Sequence, residues 1–355
     1  MLEENIIFRR ATIASVITST YPMIVVGCYF GITPWNMERL SIDESDLSYA
    51  ILLFGIFFII SNQIAGRILV PKYGTKLVMS LAFPIVTFSA LLTVISSSYF
   101  YFLLTFISGG IGWGASGPIG GIHSQLIERH FKKIITPYYA MGFNLGILLG
   151  GGLAGLIMRN NYEPYISFTI LSFLSILVSS FVYSYGLPRD LDFKGEGEKF
   201  KLPETNVLLF GFLLFFVFGS GGIIMDWSTL WLSKDLNTPL YLASMGLIFF
   251  SIGGIFANLF SNSLINLFTE KVVGCHFVMI GAAIMFLSLL TNNFYIILAV
   301  LCIYGFAIAN LVPIIIRQAV KQSNESIPMT VTNLITIGLS STMILPAGIG
   351  FLAET

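Results

Sequence analysis

Residues 55–69 read GIFFIISNQIAGRIL, and a stretch of the same character, GLIFFSIGGIFANLF, returns 191 positions later at 246–260. Both stretches are apolar over most of their length. A helix of about 20 such residues crosses the hydrocarbon core of a bilayer, because each backbone N–H and C=O is paired within the helix. The first stretch therefore predicts a membrane span, and its return predicts a repeated unit.

The composition extends this prediction to the whole chain. Of its 355 residues, 55% are hydrophobic and only 10% are charged, against about 25% charged residues in soluble domains. The formal net charge is zero, so nothing in the charge balance points to a nucleic-acid partner. The three cysteines lack metal-ligand spacing. The sequence thus predicts an all-α membrane protein without a metal, cofactor or nucleic acid.

Eleven runs are long and apolar enough to span a bilayer. They cover roughly residues 11–31, 47–66, 77–97, 101–126, 138–158, 164–186, 206–227, 239–261, 274–291, 294–316 and 329–352. Only residues 187–205, which are charged and contain Gly and Pro, have the composition of a linker. We therefore expect a six-helix bundle at 1–186, a cytosolic linker at 187–205, and a five-helix bundle at 206–355.

Basic residues give an orientation for these spans. If the N-terminus is cytosolic, every one of the 18 Lys and Arg residues except Arg39, Arg159 and Lys234 falls at a cytosolic joint. Such a bias is typical of the cytosolic side of a membrane protein. The sequence predicts a multi-pass protein of the cytoplasmic (inner) membrane with a cytosolic N-terminus.

The repeat continues beyond the two opening stretches. Further pairs keep nearly the same offset: Trp35 with Trp227, Gly110 with Gly305, Pro118 with Pro313, and Pro137 with Pro328. A nearly fixed offset in the same chain order predicts two parallel halves related by a pseudo-two-fold axis.

The loop after the second span adds a family resemblance. Residues 66–76, GRILVPKYGTK, resemble the G-x-L-x-D-R-x-G-R-R loop of the major facilitator superfamily. One extra residue separates the glycines, and Pro71 stands in place of the family's aspartate. The stretches MDWSTLWL (225–232) and LPAGIGFLAET (345–355) resemble the branch related to fucose permeases. The matching residues of the loop are Gly66, Arg67, Lys72, Gly74 and Lys76, which the resemblance makes candidate gating residues.

The resemblance implies a major-facilitator-type two-bundle fold that works as a monomer in the lipid bilayer. It implies twelve helices, with a small-molecule substrate held near the midplane by the first and fourth helices of each half. Eleven spans are visible, so the twelfth is missing and a truncated chain is expected. The implied activity is secondary active or facilitative transport by alternating access.

Asp226 is the one acid within a predicted span. Charged groups inside membranes are expensive and usually functional. Asp226 is therefore interpreted either as a hydrogen-bonding or proton-accepting group at the outer mouth of a cavity, or as an interfacial carboxylate near Lys234. Seven further candidates could line a substrate cavity: Trp35, Asn36, Trp113, His123, Asn144, Trp227 and Asn310. In the alternative interpretation, His123 lies at the solvated end of a helix that meets the cytosol, Trp227 belongs to the aromatic belt at the membrane surface, and the others pack between helices.

One motif raises an enzymatic alternative. Residues 114–117, GASG, resemble the GxSG of rhomboid proteases, with Ser116 as nucleophile. Such a serine needs a histidine base on a neighbouring helix, and none of the three histidines is predicted at its depth. We expect no enzyme but a transporter of a small, neutral, sugar-like polar solute. A drug or metabolite efflux pump is the alternative, and a rhomboid-like protease is a remote one.

Overall fold

The computed structural model describes residues 2–194 and 202–353; residues 195–201 of the predicted linker lie outside the described part. Within it, eleven helices are long and apolar enough to cross a membrane, which confirms the predicted number. They are Glu4–Gly31, Glu44–Tyr73, Thr75–Ile95, Tyr99–Phe131, Thr136–Arg159, Pro164–Tyr185, Thr205–Lys234, Leu240–Leu259, Ser261–Ser288, Phe294–Gln322 and Ile327–Gly350.

Consecutive spans run antiparallel and give the molecule two faces. The linker face carries the connections near residues 74, 132–135, 186–194 and 323–326. The opposite face carries those near residues 41–43, 96–98, 160–163, 235–239 and 289–293. Several helices exceed the apolar runs: the fourth span has 33 residues, or about 50 Å at 1.5 Å per residue. The spans thus extend beyond the roughly 30 Å hydrocarbon core.

Each bundle contains the same internal packing contact, which lies at one of the repeated glycines. A Cβ atom added at Gly110 would lie 2.2 Å from the backbone oxygen of Phe54, and one at Gly305 would lie 2.0 Å from that of Phe250. In each half, therefore, the glycine lets the fourth helix touch the backbone of the second, as small residues do at membrane helix interfaces. The repeat seen in the sequence is a repeat of close packing.

The turn that follows the second helix of each half is also repeated. Gly74 has φ +85° and ψ 162°, and Thr269, 195 positions later, has φ +70° and ψ 155°. Thr269 lies inside the stretch Ser261–Ser288, which is a single span by hydropathy. Its non-helical backbone divides this stretch into two helices, as Gly74 separates the second span from the third. The predicted ninth run, 274–291, lies wholly after this turn.

Two seams join the bundles. The second and eleventh spans form one seam, where the side-chain amide of Asn62 donates to Thr336 Oγ1 at 2.8 Å. The fifth and eighth spans form the other, where a Cβ atom at Gly254 would lie 2.6 Å from Asn144 Oδ1. The first, fourth, seventh and tenth spans lie between the seams and surround a central cavity.

Candidate functional site

The central cavity has a volume of about 340 Å³, within the range of about 300–1,000 Å³ typical of small-molecule sites. Both bundles contribute to its wall. Aromatic side chains form much of the lining: Tyr29, Phe30, Phe54, Phe106, Trp113, Tyr139, Phe143, Phe218 and Phe250. The site is therefore a mostly apolar cavity between the two halves.

Asp226 supplies the cavity's one carboxylate. Among the described lining residues there is no Lys, Arg or Glu beside it. The sequence suggested Lys234 as an interfacial partner of Asp226. Lys234 instead donates to Glu44 Oε1, at the face of the molecule opposite the linker. In the part of the chain that the structure describes, the Asp226 carboxylate accepts no hydrogen bond and forms no ion pair. It is available to a molecule in the cavity.

The Tyr29 hydroxyl lies within electrostatic range of this carboxylate and next to the Asn36 amide, and we call the three residues the polar corner. Neither Tyr29 Oη nor Asn36 Nδ2 has a partner of hydrogen-bond geometry among the described residues. Buried polar groups are normally bonded, so the polar corner has unused hydrogen-bonding capacity.

Arg39 lies behind the polar corner, outside the cavity lining. Its guanidinium donates to Ser96 O at 2.5 Å and to Asn36 Oδ1 at 2.7 Å. It also stands over the Trp35 ring at 5.3 Å. Arg39 thus orients Asn36 and leaves the Asp226 carboxylate without a cation.

Most other polar side chains of the lining use their donor groups within the protein. Examples are Ser89 to Thr105 O at 2.5 Å, Gln125 to Thr136 Oγ1 at 2.8 Å, Tyr139 to Gly117 O at 2.5 Å, Asn144 to Ala140 O at 3.1 Å and Thr342 to Leu339 O at 2.8 Å. These donor groups of the lining are therefore already used within the protein.

The structure separates the sequence-predicted candidates. Trp113, Asn144 and Asp226 line the cavity, and the Trp113 ring lies 6.2 Å from that of Phe143. Trp35 and Asn36 belong to the adjoining layer around Arg39. Sequence reasoning missed Tyr29, because no motif or spacing links it to a residue in the seventh span.

Three candidates are bonded into helix contacts away from the lining. Trp227 Nε1 donates to Pro346 O at 2.9 Å. Asn310 Nδ2 donates to Ala257 O at 3.0 Å. His123 Nε2 accepts from the Leu187 backbone N–H at 3.0 Å. In this structure these side chains hold helices together.

The loop at residues 66–76 contributes to a hydrogen-bond network at the linker face. Arg67 is buried and donates to Gln63 Oε1 at 2.5 Å and to Asn333 Oδ1 at 2.8 Å. Gln63 also donates to Thr336 Oγ1 at 2.7 Å. Gly66 lies against Thr332, so closely that a Cβ atom there would be 1.9 Å from Thr332 Oγ1. We call this contact between the second and eleventh spans the linker-side latch.

The remaining loop residues lie outside the latch. Lys72 stands over the Tyr73 ring at 5.1 Å and Lys76 over the Tyr183 ring at 4.9 Å. Gly74, at the turn, borders Asp192.

Asp192 brings a carboxylate to the loop whose family aspartate is replaced by Pro71. It accepts from Thr75 N at 2.7 Å and Thr75 Oγ1 at 2.9 Å, at the beginning of the third span. Burial raises the pKa of Asp192, and the hydrogen bonds from Phe193 and Thr75 and the charge of Arg189 oppose that rise. Its place at a helix N-terminus is that of a capping residue.

Two helical bundles surround a central cavity, and comparison with known proteins identifies the family that has this fold. The chain matches the Major Facilitator Superfamily over residues 13–347 and belongs to it. It is 22% identical, over 91% of its length and 84% of the relative's, to an uncharacterised transporter of this superfamily from Yersinia pestis.

Solved structures share the fold. A variant of the nucleoside transporter NupG superposes with a TM-score of 0.70 at 13% identity, covering 97% of this chain and 92% of that one. A D-xylose–proton symporter does so with a TM-score of 0.70, also at 13% identity, covering 97% and 89%. The protein is thus a multi-pass transporter of the Major Facilitator Superfamily, and its family and structural neighbours are transporters rather than enzymes.

Proposed function

We propose that this transporter moves a small amphipathic solute by alternating access, as a monomer, through the cavity between residues 1–186 and residues 206–355. Residues 187–205 connect the two moving bundles. The linker face is cytosolic, as the distribution of Lys and Arg indicates, and the membrane is the cytoplasmic one. One observation carries the proposal: a cavity of about 340 Å³ lies where the first and fourth helices of both halves meet.

The lining restricts the chemistry of the solute. A sugar-like solute was expected from sequence, and the named substrates of two structural neighbours, a nucleoside transporter and a D-xylose symporter, are polar. Each hydroxyl of a sugar needs a partner when it leaves water, since an unpaired buried donor costs about 1–3 kcal/mol. Here the lining is mostly aromatic and aliphatic, and several of its polar side chains already use their donor groups within the protein. The cavity therefore favours an apolar body with one polar end.

The same observation favours the second sequence-based candidate, efflux of drug-like or metabolite-like compounds. Apolar pockets with a few convergent polar groups bind such molecules. A sugar would leave most of its hydroxyls facing the aromatic lining. A panel that contains both classes of solute decides between them.

A liposome assay tests the proposal. Purified protein is reconstituted, and movement of sugars, nucleosides and amphipathic dyes is followed. Gly221 lines the cavity and a Cβ atom there meets nothing within 4 Å, so Gly221→Trp is expected to fill the cavity without displacing backbone. Amphipathic solutes should cross with wild-type protein and not with this variant. Movement that is equal in both proteins, or absent for the whole panel, would contradict the proposal.

A further inference from the structure

We propose that the polar corner binds the cationic end of the solute, a protonated amine or a quaternary ammonium group. This inference rests on the proposed function and narrows its substrate class to amphipathic organic cations. Asp226 supplies the countercharge, and the Tyr29 hydroxyl accepts a hydrogen bond from an ammonium N–H. Sequence alone suggested a neutral solute, because it showed no buried cation or anion that would pair with a charged one.

Charge balance is the first argument. A carboxylate in apolar surroundings needs a proton, a metal or a cationic partner. Among the described residues, no group of three or more potential metal ligands occurs, and no Lys or Arg lines the cavity. Arg39, the charged neighbour behind the polar corner, is held by Ser96 O and Asn36 Oδ1. A proton or a cationic solute would therefore balance this carboxylate, and the binding experiment below distinguishes the two.

The surrounding rings are the second argument. The Tyr29 ring lies 6.2 Å from Phe30 and 6.0 Å from Phe106, the latter edge-to-face at 74°. All three line the cavity. Aromatic faces attract cations, and organic ammonium groups are recognised by several rings around one charge. Rings and a carboxylate at one end of the cavity fit an ammonium better than a hydroxyl.

The unpartnered atoms are the third argument. Tyr29 Oη and Asn36 Nδ2 are buried and lack a protein partner of hydrogen-bond geometry in the described chain. The Tyr29 oxygen can accept from the N–H of a bound amine. Asn36 Oδ1 is already taken by Arg39, which leaves the Asn36 amide group to donate to the neighbouring Tyr29 oxygen. The polar corner can thus hold a carboxylate and a cation together.

Binding of radiolabelled benzyltrimethylammonium to purified full-length protein tests this site directly. Asp226→Asn should weaken binding by about tenfold or more, because it removes one partner of a desolvated charge pair. Asp226→Glu should retain most of the affinity. Glu44→Gln removes a carboxylate outside the cavity, at the face of the molecule opposite the linker, and should leave binding unchanged.

A competitor pair gives a second readout that needs no variant. 4-Benzylpiperidine, protonated at neutral pH, should displace the label, and its neutral N-acetyl derivative should not. Equal competition by both, or wild-type affinity in Asp226→Asn, would overturn the cation site. If uncharged solutes cross the liposome membrane in a Gly221→Trp-sensitive way while no cation binds, the inference fails and the proposed function stands. If nothing crosses at all, the proposed function itself fails.

Discussion

The close contacts at Gly110 and Gly305 lead to a quantitative prediction about both bundles. A Cβ atom at these positions would lie 2.2 Å and 2.0 Å from a backbone oxygen, whereas ordinary contact begins at 3.4 Å. The helices of each pair would have to separate by 3.4 − 2.2 = 1.2 Å and 3.4 − 2.0 = 1.4 Å. A backbone oxygen cannot rotate away as a side chain can, so Gly110→Ala and Gly305→Ala should both destabilise the protein.

The expected magnitude combines two opposing effects. Overpacking a tight interface costs about 1–3 kcal/mol, and obstruction by backbone places these sites at the upper end. Alanine in a helix returns about 1 kcal/mol relative to glycine. The net loss is about 1–2 kcal/mol at each site, which corresponds to a fall of a few degrees in the apparent melting temperature.

A matched control lies in the fifth span. A Cβ atom at Gly152 meets nothing within 4 Å, so Gly152→Ala keeps only the gain in helix propensity, up to about 1 kcal/mol. Intrinsic fluorescence of the three variants in one detergent, followed on heating, gives the comparison. If Gly110→Ala and Gly305→Ala melt as high as Gly152→Ala, the proposed backbone contact is absent and the packing repeat is disproved.

Four further outcomes are expected. Arg67→Gln shortens a side chain of the linker-side latch and should loosen the contact between the second and eleventh spans. A cysteine placed in the cavity should then react faster with a thiol reagent added at the linker face, and an unchanged rate contradicts a latch. Lys234→Gln removes an exposed ion pair and should cost less than about 1 kcal/mol, measured as a melting-temperature change near zero. Thr269→Gly relieves a positive φ of 70° in a β-branched residue and should raise the melting temperature; a lower one shows that the turn is not strained. The pKa of Asp192 is raised in the folded chain, so the folded chain binds a proton at this carboxyl more readily than the unfolded chain. The contribution of Asp192 to stability therefore grows as the pH falls towards 3.8, the ordinary pKa of an aspartate. Between about pH 8 and about pH 5, the difference in melting temperature between wild type and Asp192→Asn should shift in favour of wild type, and a shift the other way contradicts this sign.

Asp192 also shows that comparing a loop with a family motif along the sequence can miss a residue that another segment brings to that loop. The loop at 66–76 lacks the family's aspartate, because Pro71 occupies that place. The structure brings a carboxylate to the same loop from beyond the sixth span, 117 positions from Thr75. The residues near Pro71 do not predict this contact, because it depends only on two distant segments of the chain meeting in the fold.

The sequence by itself determined the number of spans, the repeat and the family, because each depends on local properties: a run of apolar residues of bilayer length, a constant offset, a loop motif. It also singled out Asp226, since a lone acid in an apolar run is visible without a fold. Only the tertiary structure decided its surroundings. The Tyr29 hydroxyl, 197 positions away in the sequence, lies within electrostatic range of Asp226. The neighbouring Trp227 side chain instead donates a hydrogen bond to Pro346 O. The physical reason is that lipid and cavity wall are both apolar here, so hydropathy marks where a helix crosses the membrane but not which of its sides faces the solute.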